Sequence, residues 1–295
     1  MSEAPAIRTG TVVARRSATQ SAIRLLKSAP LSAWFGIVVI ACYAFVAVFA
    51  PLIAPYGESQ IVGDAYMERS AQHPLGTDHL GRDMLTRLFY GARNTIGIAL
   101  MTVLLSFALG GTLGILSAIF RGWFDQLLGR MVDVLMSIPQ LIFALMLLSI
   151  VGQSDVNLIL IMAVIDATRV YRLSRSLAMN VVVMDFVEAA RLRGENTAWI
   201  MRKEILPNIL PTLVAEFGLR FCFVFLLVSA LSFLGLGIQP PKADWGSMVK
   251  ENATLIMYGQ IAPLLPAGAI ALLTIAVNFV VDWFLHKSSG LRDEH

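Results

Sequence analysis

Six apolar runs, near 31–51, 95–119, 131–151, 156–173, 209–234 and 261–285, restrict what this chain can become. A helix needs roughly 20 consecutive, mostly apolar residues to cross about 30 Å of hydrocarbon, and each run meets or approaches that length. Composition agrees. Hydrophobic residues make up 57% of the chain and charged residues 15%, against about a quarter charged in a soluble domain. The expected fold class is all-α, a polytopic membrane protein with six transmembrane helices.

The distribution of charge orients these spans. Of the 23 Lys and Arg side chains, 16 fall in 1–30, 121–130, 168–208 and 287–295, 6 fall in the opposite loops, and Arg220 lies within a span. Basic residues accumulate on the cytoplasmic side, so both termini are expected there. The first run is too long for a signal-peptide core and has no small-residue cleavage pattern, which makes it a retained span. Cys42 and Cys222 both fall inside spans and behave as small hydrophobes.

Four segments follow. Residues 1–30 form a basic cytoplasmic tail, with Arg8, Arg15, Arg16, Arg24 and Lys27 as an orientation and headgroup anchor. Residues 31–94 hold the first span and an external loop, 95–286 the main transmembrane domain, and 287–295 a cytoplasmic end. Within the loop, the alternation of Met84, Leu85, Leu88 and Phe89 with Arg82, Arg87 and Arg93 predicts an amphipathic helix along the membrane surface. His73 and His79 suggest a metal, but without cysteines or tight ligand spacing they make a weak case for one. Gly110 and Gly114 form a G-x-x-x-G pair suited to close helix approach, and Pro139 predicts a kink in the third span.

One polar strip interrupts the lipid-compatible pattern. EAARLRGENTAWIMRKEILPN (188–208) carries seven charged side chains on the cytoplasmic side. Asp185 and Glu188 have capping-box spacing, so a helix is expected from 185. Gly194 is placed to end it in a left-handed turn, and Asn196 to cap a second short helix that stops before Pro207. Helices this short are marginal alone and need a surface to dock on. Physics leaves two readings open, an ordinary loop packed on its own spans and an element presented to a partner.

Chemistry is scarce. The sequence contains no phosphate-loop, H-E-x-x-H or paired-cysteine motif, and no nucleophile stands with an evident base, so no catalytic residue and no metal site is assigned. Glu216 and Arg220 lie four residues apart on one helix face and should avoid lipid, because a charge at mid-bilayer costs about 2.5–3.5 kcal/mol. They should face a partner or a cavity, which the family resemblance set out below makes either the translocation path or the heterodimer interface. Asp133, Asp166 and Arg169, taken to lie near inner span ends, read as structural. Asp244 and Trp245 in PPKADWG are read as a rigid outer turn built on Pro240 and Pro241 or, on the family resemblance set out below, as part of the docking surface for a binding protein.

Glu188, Ala189 and Ala190, then Gly194, then Leu206 and Pro207 resemble the EAA-x3-G-x9-I-x-LP coupling signature of permease subunits in binding-protein-dependent ABC importers. Glu204 stands where that pattern has Ile, with Ile205 beside it. FAPLIAPY (49–56), HPLGTDHLGRDMLTRLFYGAR (73–93) and FLGLGIQPPKADWGSMV (233–249) resemble the second permease subunit of the dipeptide, oligopeptide and nickel importers. The C-terminal WFLHKSSGLRDEH departs from that family's usual ending.

The resemblance implies a type I importer permease fold in a bacterial inner membrane, with cytoplasmic coupling helices over 185–207. It also implies a heterodimer with a homologous permease, two ABC ATPase subunits that carry the ATP and Mg, and an extracytoplasmic substrate-binding protein. Neither a cofactor of this chain's own nor a nucleic-acid partner is implied. Dipeptides or oligopeptides are the expected cargo, with nickel chelates, glutathione, opines or sugars as alternatives within the family and a standalone carrier or channel as a distant one.

Overall fold

The structure, a computed structural model, describes residues 29–258, 261 and 264–288. The readings made for the N-terminal tail and the last residues fall outside these. Regular structure among the described residues is helical, apart from two isolated bridges in the outer loop, Ile61 with Arg82 and Thr77 with Asp83.

Helix α1 covers Leu31–Ile53. α2 (Met84–Ser106) runs through a π-helical segment, Phe107–Gly111, into α3 (Thr112–Phe120). α4 (Gly122–Met136), α5 (Gln140–Val151) and α6 (Asp155–Val182) follow. α7 (Asp185–Leu192), the single turn α8 (Thr197–Trp199) and a second π segment, Ile200–Ile205, lead into α9 (Leu206–Leu234). α10 (Trp245–Asn252) and α11 (Leu264–Ser288) complete the fold.

The six expected spans take a different form. Four unbroken helices, Leu31–Ile53, Met84–Phe120, Thr197–Leu234 and Leu264–Lys287, are long and apolar enough to cross a membrane. The 131–151 run is not one continuous helix: α4 and α5, which together are long and apolar enough to cross a membrane, meet at 89°. Pro139 has no N–H to continue the α4 ladder, and its carbonyl instead accepts from Phe143 to open α5. The sixth helix, α6, is 28 residues long and carries Asp166, Arg169, Arg172 and Arg175, too polar to qualify by composition. The separate surface helix expected before residue 95 is instead the outer end of α2.

Small residues set the helix spacing, as expected where van der Waals packing rather than water drives association. A Cβ on Gly110 would lie 2.3 Å from the Ala167 carbonyl oxygen, and one on Gly114 would lie 2.6 Å from that of Tyr171. The G-x-x-x-G pair therefore joins the α2–α3 rod to α6. Gly36 plays the same part between α1 and α11, where a Cβ would stand 2.5 Å from the Ala276 oxygen. Two apolar clusters result: a large one around Phe225, Leu148, Leu158 and Trp245, and a smaller one around Ile115, Ala178, Val187, Ala190, Ile205 and Ile209 at the strip.

Candidate functional site

The strip is built by its caps. α7 ends where Gly194 adopts φ +80°; its N–H donates to the Arg191 carbonyl at 2.9 Å, and the Glu195 N–H to that of Ala190 at 3.2 Å. This is the paired bonding of a glycine C-cap. The Asn196 side chain accepts from the Trp199 N–H at 2.8 Å and opens α8, as its position predicts.

Two expectations fail here. Asp185 does not form a capping box, because Met184 is the N-cap residue and makes no side-chain cap, while Asp185 already lies in the first turn. Its contribution there is charge near the positive helix end. The second short helix does not stop before Pro207 either. The wider turn of Ile200–Ile205 accommodates the ring and missing N–H of Pro207, which sits in the first turn of α9, and the helix continues from Thr197 to Leu234.

α7 is fixed on one side and open on the other. Val187 and Ala190 are fully buried in the inner cluster with Ile200 and Ile205. Glu188, Ala189 and Gly194 are exposed, and so are Phe186 at 41% and Leu192 at 83%. Arg193 lies 5.8 Å from the Trp199 ring centre and 3.8 Å from Glu204, which ties the two halves of the strip. Leu206 is half-buried against the inner cluster and Pro207 is exposed. The Glu204 departure from the signature is absorbed locally: Glu204 pairs outward, and Ile205 supplies the fully buried apolar group.

Inside the membrane, Glu216 lies 2.7 Å from Arg220 on α9, and Arg220 lies 3.9 Å from Asp166 on α6. The Ser106 hydroxyl donates to Asp166 at 2.9 Å. Arg220 also stacks 4.8 Å from the centre of the Phe223 ring. Asp166 stands roughly 17 Å along α6 at 1.5 Å per residue, well inside the helix, which extends on to Val182. Three elements share this network, which makes Asp166 a structural partner that sequence spacing alone did not connect to Arg220.

The loops beyond the far end of α9 carry a second polar assembly. Asp244 caps α10 by accepting from the Ser247 N–H and from the Thr95 hydroxyl, each at 2.8 Å. Burial, outweighing these bonds, pushes its carboxyl above the ordinary range. The Trp245 indole N–H donates to the Leu88 carbonyl at 3.0 Å, over Gly91, whose added Cβ would lie 2.6 Å from the ring. Asp244 is 0% and Trp245 2% exposed. Neither side chain presents a docking surface; both serve the turn reading, clamping the loop to α2.

Sequence reasoning missed the rest of this cap. Arg87, 1% exposed, faces Asp78 at 3.2 Å and Glu251 at 3.4 Å, and Arg82 faces the same two carboxylates at 2.7 and 3.4 Å. Glu58 accepts from Asn94 at 2.7 Å and from the Ala243 N–H at 2.6 Å. The i,i+4 spacing of Asp78 and Arg82 is a local signal, but Glu251 and Ala243 stand more than 100 residues from the groups they meet. Asp78, His79 and Glu251 approach one another within 4.8 Å, but two guanidiniums already balance the carboxylates, and a divalent cation would add charge to a balanced site. His73 is likewise engaged, at 3.0 Å from Asp83.

A helical membrane protein with a capped loop at the far end of α9 and a half-docked strip at its start is thereby defined. Residues 110–288 match the family described as the inner membrane component of binding-protein-dependent transport systems, and 17–74 match the N-terminal transmembrane domain of oligopeptide transport permease C. The chain belongs to the first family and is a permease subunit of an ABC importer. It is 34% identical over 265 residues to the di/tripeptide transport system permease DppC of Pseudomonas aeruginosa, covering 88% of this chain and 85% of that one. The dipeptide permease DppC of Alkalihalophilus pseudofirmus is 31% identical, covering 88% and 83%. The glutathione permease GsiD of Pectobacterium atrosepticum is 32% identical, covering 84% and 81%.

Proposed function

We propose that this permease carries short peptides inward as half of a heterodimeric pathway driven by two cytoplasmic ATPases. An extracytoplasmic binding protein delivers cargo to the outer cap, and both termini face the cytoplasm. The observation that carries the coupling role is the divided face of α7: Val187 and Ala190 lock it to the spans, while Phe186, Ala189 and Leu192 are left open beside Gly194. An ATPase groove covering that face would push on a rod continuous from Thr197 to Leu234, the rigid-body arrangement suited to alternating access.

ATP and Mg belong to the partner ATPases, and the chain's own part is mechanical. Support for peptide cargo comes from the di- and tripeptide relatives; the glutathione relative, itself named for a peptide, fits the same class. In proteoliposomes holding both permeases and both ATPases, cargo-loaded binding protein is expected to raise ATP hydrolysis, and Leu192→Asp to abolish that rise. Stimulation that survives Leu192→Asp together with Gly194→Val would reject the strip as the coupling element.

A further inference from the structure

Over residues 206–228 of α9, the only polar side chains apart from Cys222 are Asn208, Thr212, Glu216 and Arg220. They recur at every fourth residue, which lays them along one slanting stripe of the helix. Asn208 and Thr212 are exposed, and so is Phe223, whose ring Arg220 overlies at 4.8 Å. Of the ionised groups that meet here Glu216 is the most open, with 23% of its side chain exposed against 12% for Arg220 and 1% for Asp166. Arg220 Nε, although 2.7 Å from a Glu216 oxygen, makes no hydrogen bond among the described residues. The pair therefore keeps capacity for a further partner.

Depth excludes lipid as that partner. α9 is roughly 43 Å long at 1.5 Å per residue, and Glu216 and Arg220 stand roughly 15 and 21 Å from its start. A hydrocarbon layer of about 30 Å laid anywhere along α9 contains both. Charge is costly against acyl chains, so either a protein helix or water must cover the stripe. Dry helix seats in this chain have another composition: α3 and the π segment before it meet α6 over Gly110 and Gly114, α1 meets α11 over Gly36, and α9 itself meets Val281 over Gly218. Close helix approach favours such small residues, and the stripe holds none.

We infer that the stripe is the wall of a water-filled path through this half of the importer, reached from the strip end of α9, and that Glu216 meets an ammonium group of the cargo there. The inference rests on the permease and peptide reading above and gives it named residues. Arg220, held between Asp166 and the Phe223 ring, fixes Glu216 in position.

The test uses the complete importer in lipid nanodiscs, where both faces meet the solvent, and reads thiol labelling by a cationic trimethylammonium and an anionic sulfonate methanethiosulfonate. The native cysteines are internal controls. Cys222 is buried, and exposed Cys42 lies at the middle of α1, the helix with the smallest buried share among the long apolar ones; both should stay unlabelled. Thr212→Cys and Phe223→Cys should react at least about tenfold faster than this native pair. At Thr212→Cys, Glu216→Gln should lower the ratio of cationic to anionic labelling about threefold, the effect of one salt-screened charge about 6 Å away acting on the two reagents in opposite directions. In the otherwise native importer reconstituted in proteoliposomes, Glu216→Gln should lower the ratio of Ala-Lys to Ala-Glu uptake by a similar factor.

Phe223→Cys as unreactive as Cys42 would overturn the path and leave the stripe as a seat for a partner helix. Leu227→Cys, four residues further on, takes its place if Phe223→Cys does not assemble. Labelling and uptake ratios that both ignore Glu216→Gln would overturn the role of Glu216. A reactive stripe in an importer that takes up neither peptide, yet hydrolyses ATP faster with another loaded cargo, would overturn the peptide reading alone.

Discussion

Gly194 shows how one backbone angle sets the inner site. Its φ is +80°, and a Cβ added there would meet nothing within 4 Å. The constraint is therefore conformational rather than steric, since left-handed geometry costs an L-residue about 1–2 kcal/mol. Gly194→Val is expected to lower binding-protein-stimulated ATP hydrolysis severalfold, and Gly194→Asn to retain more of it, because Asn tolerates this region. Equal loss in both would point to the loss of something other than the turn.

Asp244 is the corresponding residue beyond the far end of α9. Its Ala variant removes an N-cap worth about 1 kcal/mol and should lower the melting temperature of the detergent-solubilised complex. Because burial raises its folded value above the unfolded one, the folded state holds the proton more tightly. Cap stability therefore falls as pH rises from the ordinary carboxylate value through the raised one, and Asp244→Asn should flatten that dependence in a melting-temperature series.

At the scale of elements, the buried charges of α6 and α9 are coupled. Arg220→Leu leaves Asp166 unbalanced in a site where it is 1% exposed, and breaking such a buried pair costs about 3–5 kcal/mol. Arg220→Leu combined with Asp166→Asn should recover much of the lost thermal stability; no recovery would show that Glu216, rather than Asp166, is the partner that matters. The i,i+4 spacing made Glu216 and Arg220 legible in the sequence, whereas Asp166 and Ser106 join them only through tertiary packing. Pro139 was legible as a disturbance but not as a right-angle break, because periodicity reports neither what replaces a lost hydrogen bond nor where the next helix points. Pro207 erred in the opposite direction: proline chemistry predicts a stop, and the π turn before it lets the helix pass.

For the whole molecule, the all-α class, the long apolar helices and the position of the capped polar strip were readable from hydropathy and from glycine and asparagine placement. The outer cap was not. HPLGTDHLGRD and PPKADWG each looked like a separate loop, yet Thr95 bonds Asp244 and Arg87 faces Glu251 across 149 and 164 residues, contacts that no local window contains. The same burial that hides Asp244 and Trp245 joins the first external loop to α10, so the cap and the Thr197–Leu234 rod belong to one packed body through Phe225 and Trp245.

That linkage of outer cap, rod and inner strip is tested most directly by ATP-dependent peptide uptake in the reconstituted importer, measured with and without the binding protein and the ATPases. Uptake is expected only when all components and ATP are present, and its loss is expected in Leu192→Asp despite normal assembly of the complex. Nucleotide-independent uptake by this chain alone would contradict the coupled mechanism.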